Sequence, residues 1–221
     1  MKNDFIPVLC CSASKTKEFF CDNGKRIKFV ASPKDAPPEN GIEYCKPSDQ
    51  IPGANKNKTW NDLVLEQKHS DFIEAYKLYS DDVYRGLFRE YGNNFYILSA
   101  GWGIIRACFK IPAYDITYSK AGNMPKWVKR NDNAGWLDIN HLKEDAAKSP
   151  STPIILFAGV DYVPHFQRMA CGIKNRKIIM YRSKKVEQLP GFEYVYYETR
   201  KKIWPPQAAK EFLHGTLEIP Q

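Results

Sequence analysis

Several common signatures are missing from this sequence of 221 residues, and each absence excludes a class of protein. No stretch of about 18 apolar residues occurs, so no transmembrane helix is expected. The first residues, MKNDFIPVLCC, contain too short an apolar run for a secretory signal peptide, and we therefore expect a cytoplasmic protein. The motif GxxxxGK[ST] is absent, which excludes a P-loop NTPase, and the absence of GxGxxG and GxSxG leaves a dinucleotide fold and a serine hydrolase without support.

Metal-binding and disulfide patterns are also lacking. None of the six cysteines forms a CxxC pair, and no cysteine–histidine cluster has the spacing of a zinc site. Without an export signal, free thiols are expected rather than disulfides. We therefore predict no metal and no cofactor.

Positive charge is in excess, and it is unevenly distributed. The formal net charge is +8, yet residues 1–100 contain equal numbers of basic and acidic side chains, so residues 101–221 carry the whole excess. This asymmetry indicates a polyanionic partner, most simply a nucleic acid, although a solvated basic face is the alternative. The candidate nucleic-acid-binding residues are Lys126, Lys129, Arg130, Lys174, Arg176, Lys177, Arg182, Lys184 and Lys185.

The order of apolar runs predicts an α/β fold. Buried strands are expected at 5–11, 26–31, 95–100, 153–158, 177–181 and 194–198, and helices at 60–92, 161–172 and 205–215, with broken helix over 125–148. Such alternation favours a three-layer fold with a mostly parallel central sheet and helices on both faces. We predict a single domain over 1–221, with residues 32–59 as a long loop insertion and 112–125 irregular.

Three of the predicted strands end in small or polar residues, at 11–15, 99–103 and 158–162. Ligands of open α/β sheets bind beyond the carboxyl ends of the strands, where small residues, hydroxyl groups and Lys15 would suit an anion such as phosphate. The alternative is that these are ordinary strand-to-helix turns. The candidate substrate-binding residues, including the aromatic Tyr114 discussed next, are Ser12, Ser14, Lys15, Ser99, Gly101, Trp102, Tyr114, Asp161 and Tyr162.

Tyr114 and Asp115 place an aromatic ring beside a carboxylate in the irregular segment. A nucleobase site needs such a pair: Tyr114, with Trp102, would stack on the base, and Asp115 would orient water or stabilise positive charge on the sugar. Asp115 is therefore the candidate catalytic residue. The alternative is that Asp115 caps a turn and Tyr114 packs in the core.

Five segments together carry a family resemblance: CSASK, AYKLYSDDVYRGLF, YILSAGWGII, IPAYDITY and FAGVDYV. In this combination the sequence resembles the YaaA-like superfamily, which is distantly related to uracil-DNA-glycosylase-like domains. The resemblance implies an α/β fold, DNA binding and, in some relatives, base modification or phage defence by excision of modified bases.

The leading hypothesis is therefore a DNA glycosylase-like hydrolase. It would flip out a modified base and cleave its N-glycosidic bond, with DNA as partner and no membrane association. Two alternatives remain open. One is a non-catalytic DNA-binding protein of the YaaA type that acts under oxidative stress, and the other is a nucleotide-handling enzyme.

Overall fold

The computed structural model describes residues 5–13, 15–16, 18–21, 24–53, 57–131, 136–201 and 203–220. The strands are β1 Ile6–Cys10, β2 Phe19–Phe20, β3 Arg26–Val30, β4 Ile42–Cys45, β5 Ile73–Glu74, β6 Tyr96–Ser99, β7 Gly103–Arg106, β8 Lys110–Ile111, β9 Tyr114–Asp115, β10 Ile139–Asn140, β11 Ile154–Phe157, β12 Lys177–Tyr181 and β13 Glu193–Tyr196. The helices are α1 Trp60–Glu66, α2 Ala75–Leu78, α3 Val83–Tyr91, α4 His141–Ala146, α5 Val163–Ala170 and α6 Pro205–His214. Short 3-10 turns occupy Pro33–Asp35, Gly92–Asn94 and Lys126–Val128.

A seven-stranded sheet forms the centre of the fold, in the order β10-β7-β6-β1-β11-β12-β13. All neighbours run parallel except β6 and β7, which are antiparallel. Strands β1, β6 and β11 are buried along their whole length, which explains why they are continuous apolar runs. The predicted α/β fold with a mostly parallel central sheet is confirmed.

Helices α3 and α6 pack against each other and against β1. Phe212 of α6 carries much of this contact, since its ring touches those of Phe5, Tyr91 and Phe157. Helix α4 packs on β7 and on α5. The placement of helices on both faces of the sheet stays a prediction, as does the single domain over 1–221. Among the described residues, no helix combines the length and the apolar character that crossing a membrane requires.

A second, smaller sheet corrects two expectations. Residues 32–59 are not a plain loop, because they contain β4, which pairs in parallel with β3. Residues 112–125 are not wholly irregular, because β9 pairs in parallel with the other side of β3. Strand β2 pairs with β3 in the antiparallel direction.

Two predicted helical regions are also shorter than expected. Residues 60–92 divide into α1, α2 and α3, and β5 before α2 forms a two-stranded sheet with β8. Helix α1 begins at a capping box in which Thr59 and Asp62 bond each other's backbone N–H groups. Within 125–148 only the turn at Lys126–Val128 and helix α4 are helical, and the break expected near residue 135 lies outside the described residues.

Candidate functional site

The carboxyl ends of β1, β6 and β11 lie at one edge of the central sheet, as predicted, because β1 pairs in parallel with both neighbours. Strand β1 is also where the connections change direction: the chain next enters β6 on one side and later β11 on the other. Such reversal points are the usual ligand sites of open α/β sheets. The chain from Cys11 to Ala13 therefore leaves the sheet at the position best suited to a ligand.

A buried hydroxyl cluster forms the floor of this region. The Ser99 hydroxyl donates to the Tyr114 hydroxyl at 2.9 Å and accepts from the backbone N–H groups of Gly101 and Trp102. The hydroxyls of Tyr79 and Tyr114 lie 2.7 Å apart. Burial raises the pKa of both tyrosines well above the ordinary value, so both stay protonated.

The Tyr114 ring lies close to both Gly101 and Lys15. A Cβ atom at residue 101 would come within 3.3 Å of the ring, so glycine is what allows the close approach. The Lys15 ammonium lies 4.5 Å from the ring centroid, which is a cation–π contact. The ring is buried, and its hydroxyl is fully engaged in the cluster below.

Lys15 is half-buried, and its ammonium also donates to the carbonyl oxygen of Ser12 at 3.2 Å. Its backbone forms a bridge with Tyr79, and the neighbouring Thr16 N–H donates to the carbonyl of Leu78. Burial lowers the pKa of the Lys15 ammonium, while Cys11 and Asp115 act in the opposite direction. The result is a lysine held in place that gives up its proton more easily than a surface lysine.

Asp115 is half-exposed, with 39% of its side chain accessible, and its carboxylate lies 3.8 Å from the Lys28 ammonium. Asp115 and Lys15 line the same cleft, of about 250 Å³, beside the hydroxyl cluster. The remaining lining residues come from β2, β3, β9 and the adjoining loops: Ala13, Glu18, Phe19, Arg26, Ile27, Lys28, Ala113 and Tyr114. The small sheet thus supplies one wall and the end of β1 the other.

Aromatic side chains continue from this cleft along the small sheet. The rings of Tyr44 and Trp127 meet edge to face with centroids 5.7 Å apart, and both residues are half-buried. The Lys28 ammonium lies 5.2 Å from the Trp127 ring and 5.9 Å from the Tyr44 ring. Lys28 therefore links the Asp115 carboxylate to a pair of accessible rings.

A basic pocket of about 520 Å³ follows, where β3 and β4 end. Trp127 borders it, since its carbonyl accepts from the N–H groups of Ala31 and Ser32 in the pocket wall. Its charged lining residues are Lys34, Asp35, Lys46, Lys126, Lys129 and Arg130. With five cations and one carboxylate, this pocket suits an anion such as phosphate.

Four predicted substrate-binding residues are structural instead. Trp102 is fully buried and packs edge-on against Phe29, so its predicted stacking on a base is wrong for this conformation. The Ser99 hydroxyl is saturated by buried partners, and the Tyr114 ring is buried. Tyr162 is buried, with its hydroxyl bonded to Cys11 Sγ and Thr117 Oγ1.

The other predicted residues divide between two places. Ser12 lies beside Lys15 through its carbonyl, and Gly101 shapes the floor of the cleft. Asp161 lies instead in a separate pocket of about 460 Å³, where β11 and β12 end, together with Arg182 and Ser183. Ser14 lies outside the described residues.

The predicted nucleic-acid-binding residues do not form one surface. Lys174 and Arg176 precede β12 and Lys177 is its first residue, whereas Arg182, Lys184 and Lys185 follow the strand. A strand of five residues separates the two groups by about 16 Å, at opposite edges of the sheet. Only the second group shares an edge with the cleft.

Four of these basic side chains already have internal partners, and Arg182 is one of them, since it donates to the carbonyl of Lys201. Arg130 is buried and donates to the carbonyl of Ala100 and to Asp138. Lys177 is buried and donates to the carbonyls of Ile173 and Asn175, while Arg176 forms a two-pronged pair with Glu193. Phosphate binding by Arg130 and Lys177 would break buried bonds, so their predicted role is corrected to a structural one. The Arg176–Glu193 pair lies at the surface, and the predicted role of Arg176 stays a prediction.

Sequence reasoning missed Lys28, Tyr44 and Trp127 as neighbours of Asp115. The usable signal was alternation in RIKFV, which places Arg26 and Lys28 on the face opposite Ile27 and Phe29. The six cysteines are thiols outside any disulfide, and burial raises the pKa of Cys10 and Cys45 to about 12, so neither is a ready nucleophile. Within the described ranges, no three His, Cys, Asp or Glu side chains cluster as a metal site requires.

Comparison of the chain with family models, with curated proteins and with solved structures gave no match.

Proposed function

We propose that the protein is a DNA glycosylase-like enzyme that excises a modified base at the cleft between β1 and the small sheet. The observation that carries the proposal is the accessible Asp115 carboxylate in a cleft with Lys15 and Lys28. Lys28 also contacts the half-buried rings of Tyr44 and Trp127. A volume of about 250 Å³ lies just below the usual range of small-ligand pockets, about 300 to 1,000 Å³, and suits one nucleoside.

Cleavage of an N-glycosidic bond places positive charge on the departing sugar. The Asp115 carboxylate would stabilise that charge and accept a proton from the attacking water. Tyr44 and Trp127 would receive the flipped base or its neighbour by stacking, in place of the buried Trp102. The role first given to Trp102 thus passes to rings on the small sheet.

The basic pocket would hold the phosphates on either side of the target nucleotide. Lys34, Lys46, Lys126 and Lys129 line it next to Trp127, so one strand of DNA can reach both regions. Binding through several phosphates makes the affinity strongly salt-dependent. A modified phage base as substrate and a cytoplasmic location belong to the same proposal, on the strength of the YaaA-like resemblance.

The test is excision from unmodified DNA and from phage DNA with modified bases, assayed as abasic sites and released base. We expect product from modified DNA only, and a loss of at least about 100-fold in the Asp115→Asn variant. The matched control is Glu66→Gln, because Glu66 is 40% exposed and paired with Lys58 but lies on α1 away from the cleft.

Full activity of a folded Asp115→Asn variant would remove Asp115 from the reaction. Salt-sensitive binding with no product on any DNA would favour the non-catalytic DNA-binding protein.

The pocket containing Asp161 favours a second candidate function, a nucleotide-handling enzyme. It lies where β11 and β12 end, and Arg182, Ser183 and Gly159 provide a cation, a hydroxyl and an open backbone for a small phosphate ligand. This candidate predicts thermal stabilisation by free nucleotides and none by duplex DNA.

A further inference from the structure

We propose that Lys15 forms a covalent imine with abasic sites in DNA, so that the protein also cleaves the strand where a base is missing. The inference extends the proposed function, since the same cleft receives the DNA. It assigns to Lys15 a chemical role in place of phosphate binding.

The position of the Lys15 amine carries the argument. Lys15 lines the cleft that contains Asp115, and contacts of its ammonium with the Tyr114 ring and the Ser12 carbonyl hold the side chain there. The backbone bridge to Tyr79 fixes the start of the side chain. A nucleophile held in this way reacts without first losing the conformational freedom of a surface lysine.

The protonation of Lys15 also suits a nucleophile. Only the neutral amine attacks a carbonyl, and burial lowers the pKa of this ammonium. Lys25 and Lys77 differ, because their carboxylate partners Glu43 and Glu74 raise the pKa of each ammonium. Lys15 has no carboxylate within bonding distance among its described contacts.

The reaction balances without an oxidant, a reductant or a cofactor. The Lys15 amine adds to the C1′ aldehyde of the ring-opened abasic sugar, and loss of water gives a protonated imine. A base removes a proton from C2′, a C=C bond forms, and the bond from C3′ to oxygen breaks, releasing the downstream strand with its 5′-phosphate. Asp115 lines the same cleft and is placed to accept that proton. Water then hydrolyses the imine and restores the amine.

The experiment uses the full chain and a duplex oligonucleotide with one preformed abasic site, with sodium borohydride added to reduce the imine. We expect a covalent protein–DNA complex on a denaturing gel, strand cleavage when borohydride is omitted, and an adduct that peptide mapping places on Lys15. Lys15→Arg keeps the positive charge and should lose both the complex and the cleavage.

The control variant is Lys110→Ala, which removes an exposed lysine of β8 that does not line the cleft and should leave trapping unchanged. Thermal unfolding of each variant shows whether it is folded. Absence of a trapped complex with the unaltered protein overturns the proposal, as does an adduct mapped to another lysine or retained by folded Lys15→Arg.

The preformed abasic site separates this inference from the proposed function. Trapping on abasic DNA without base release from modified DNA supports the imine and rejects the glycosylase. Base release without trapping supports a glycosylase that uses water and rejects the imine.

Discussion

The Tyr114 hydroxyl illustrates how much one buried polar atom decides in this molecule. It joins Ser99 and Tyr79, and through Ser99 it is connected to the turn after β6. The same ring supports the Lys15 ammonium from below. The floor of the cleft and the end of the central sheet therefore depend on a single side chain.

Tyr114→Phe should lower the free energy of unfolding by about 1–3 kcal/mol, because it leaves buried hydroxyl groups without a partner. Denaturant unfolding measures the change. Tyr44→Phe is the control: the Tyr44 hydroxyl bonds Glu39 at the surface, and its loss should change stability by less than about 1 kcal/mol. Equal effects of the two substitutions would contradict a structural role for the cluster.

At the scale of elements, the register between β7 and β10 depends on Gly103. Its φ angle is +86°, and a Cβ atom there would lie 2.3 Å from the carbonyl oxygen of Ile139 in β10. Both the backbone conformation and the space exclude a larger residue.

Gly103→Ala should therefore destabilise the protein by at least about 2 kcal/mol, since strain and overpacking add. Gly122→Ala is the matched control, because no atom lies within 4 Å of the added methyl group and the φ angle is not positive. We expect the control to stay within about 0.5 kcal/mol of the unaltered protein in chemical denaturation. A small effect at Gly103 would mean that β10 moves away freely.

Helix α4 is attached to the sheet through Asp145, which accepts from Arg106 of β7, Tyr96 of β6 and Lys148. These bonds hold the pKa of Asp145 well below its usual value of 3.8, with Arg106 the largest cause. A carboxyl group whose pKa is lower in the folded than in the unfolded protein stabilises the folded state at pH values above its pKa in the unfolded protein. This contribution is lost as the pH falls.

Asp145→Asn should therefore lower stability at pH 7 and make the free energy of unfolding fall less steeply below about pH 4. Urea unfolding at a series of pH values from 7 to about 3 gives both quantities. A variant with the same slope as the unaltered protein would show that Asp145 does not contribute to acid sensitivity.

The long apolar strands could be predicted from the sequence, because a strand that is buried on both faces is a continuous run of apolar residues. Strands β4 and β9 could not, since IEYC stands among proline and glycine and Tyr114–Asp115 has only two residues. Their pairing with β3 depends on tertiary contacts, not on local preference. Because this pairing is not visible in the sequence, the sequence predicted Lys15, Tyr114 and Asp115 as site residues but not their neighbours Lys28, Tyr44 and Trp127. The burial of Trp102 was equally invisible, because it comes from packing against Phe29 of the small sheet.

At the scale of the whole molecule, positive charge divides between two opposite edges of the sheet. Lys126 and Lys129 line the basic pocket near the cleft, whereas Lys174 lies at the far edge.

Replacing both Lys126 and Lys129 by alanine should weaken DNA binding and reduce the slope of log K against log salt by about 2. Lys174→Ala should leave affinity and slope unchanged. Fluorescence anisotropy over a range of KCl concentrations tests both, and equal losses would point to a diffuse basic surface.

The two sides of the cleft come from distant parts of the chain. Lys15 follows β1, and Asp115 is held by the pairing of β9 with β3, so the cleft needs contacts across about a hundred residues. Contacts of such long range form late in folding, because the chain must first close large loops. A nascent or partly unfolded chain therefore lacks the cleft altogether. Any chemistry at this site therefore begins only when folding is complete.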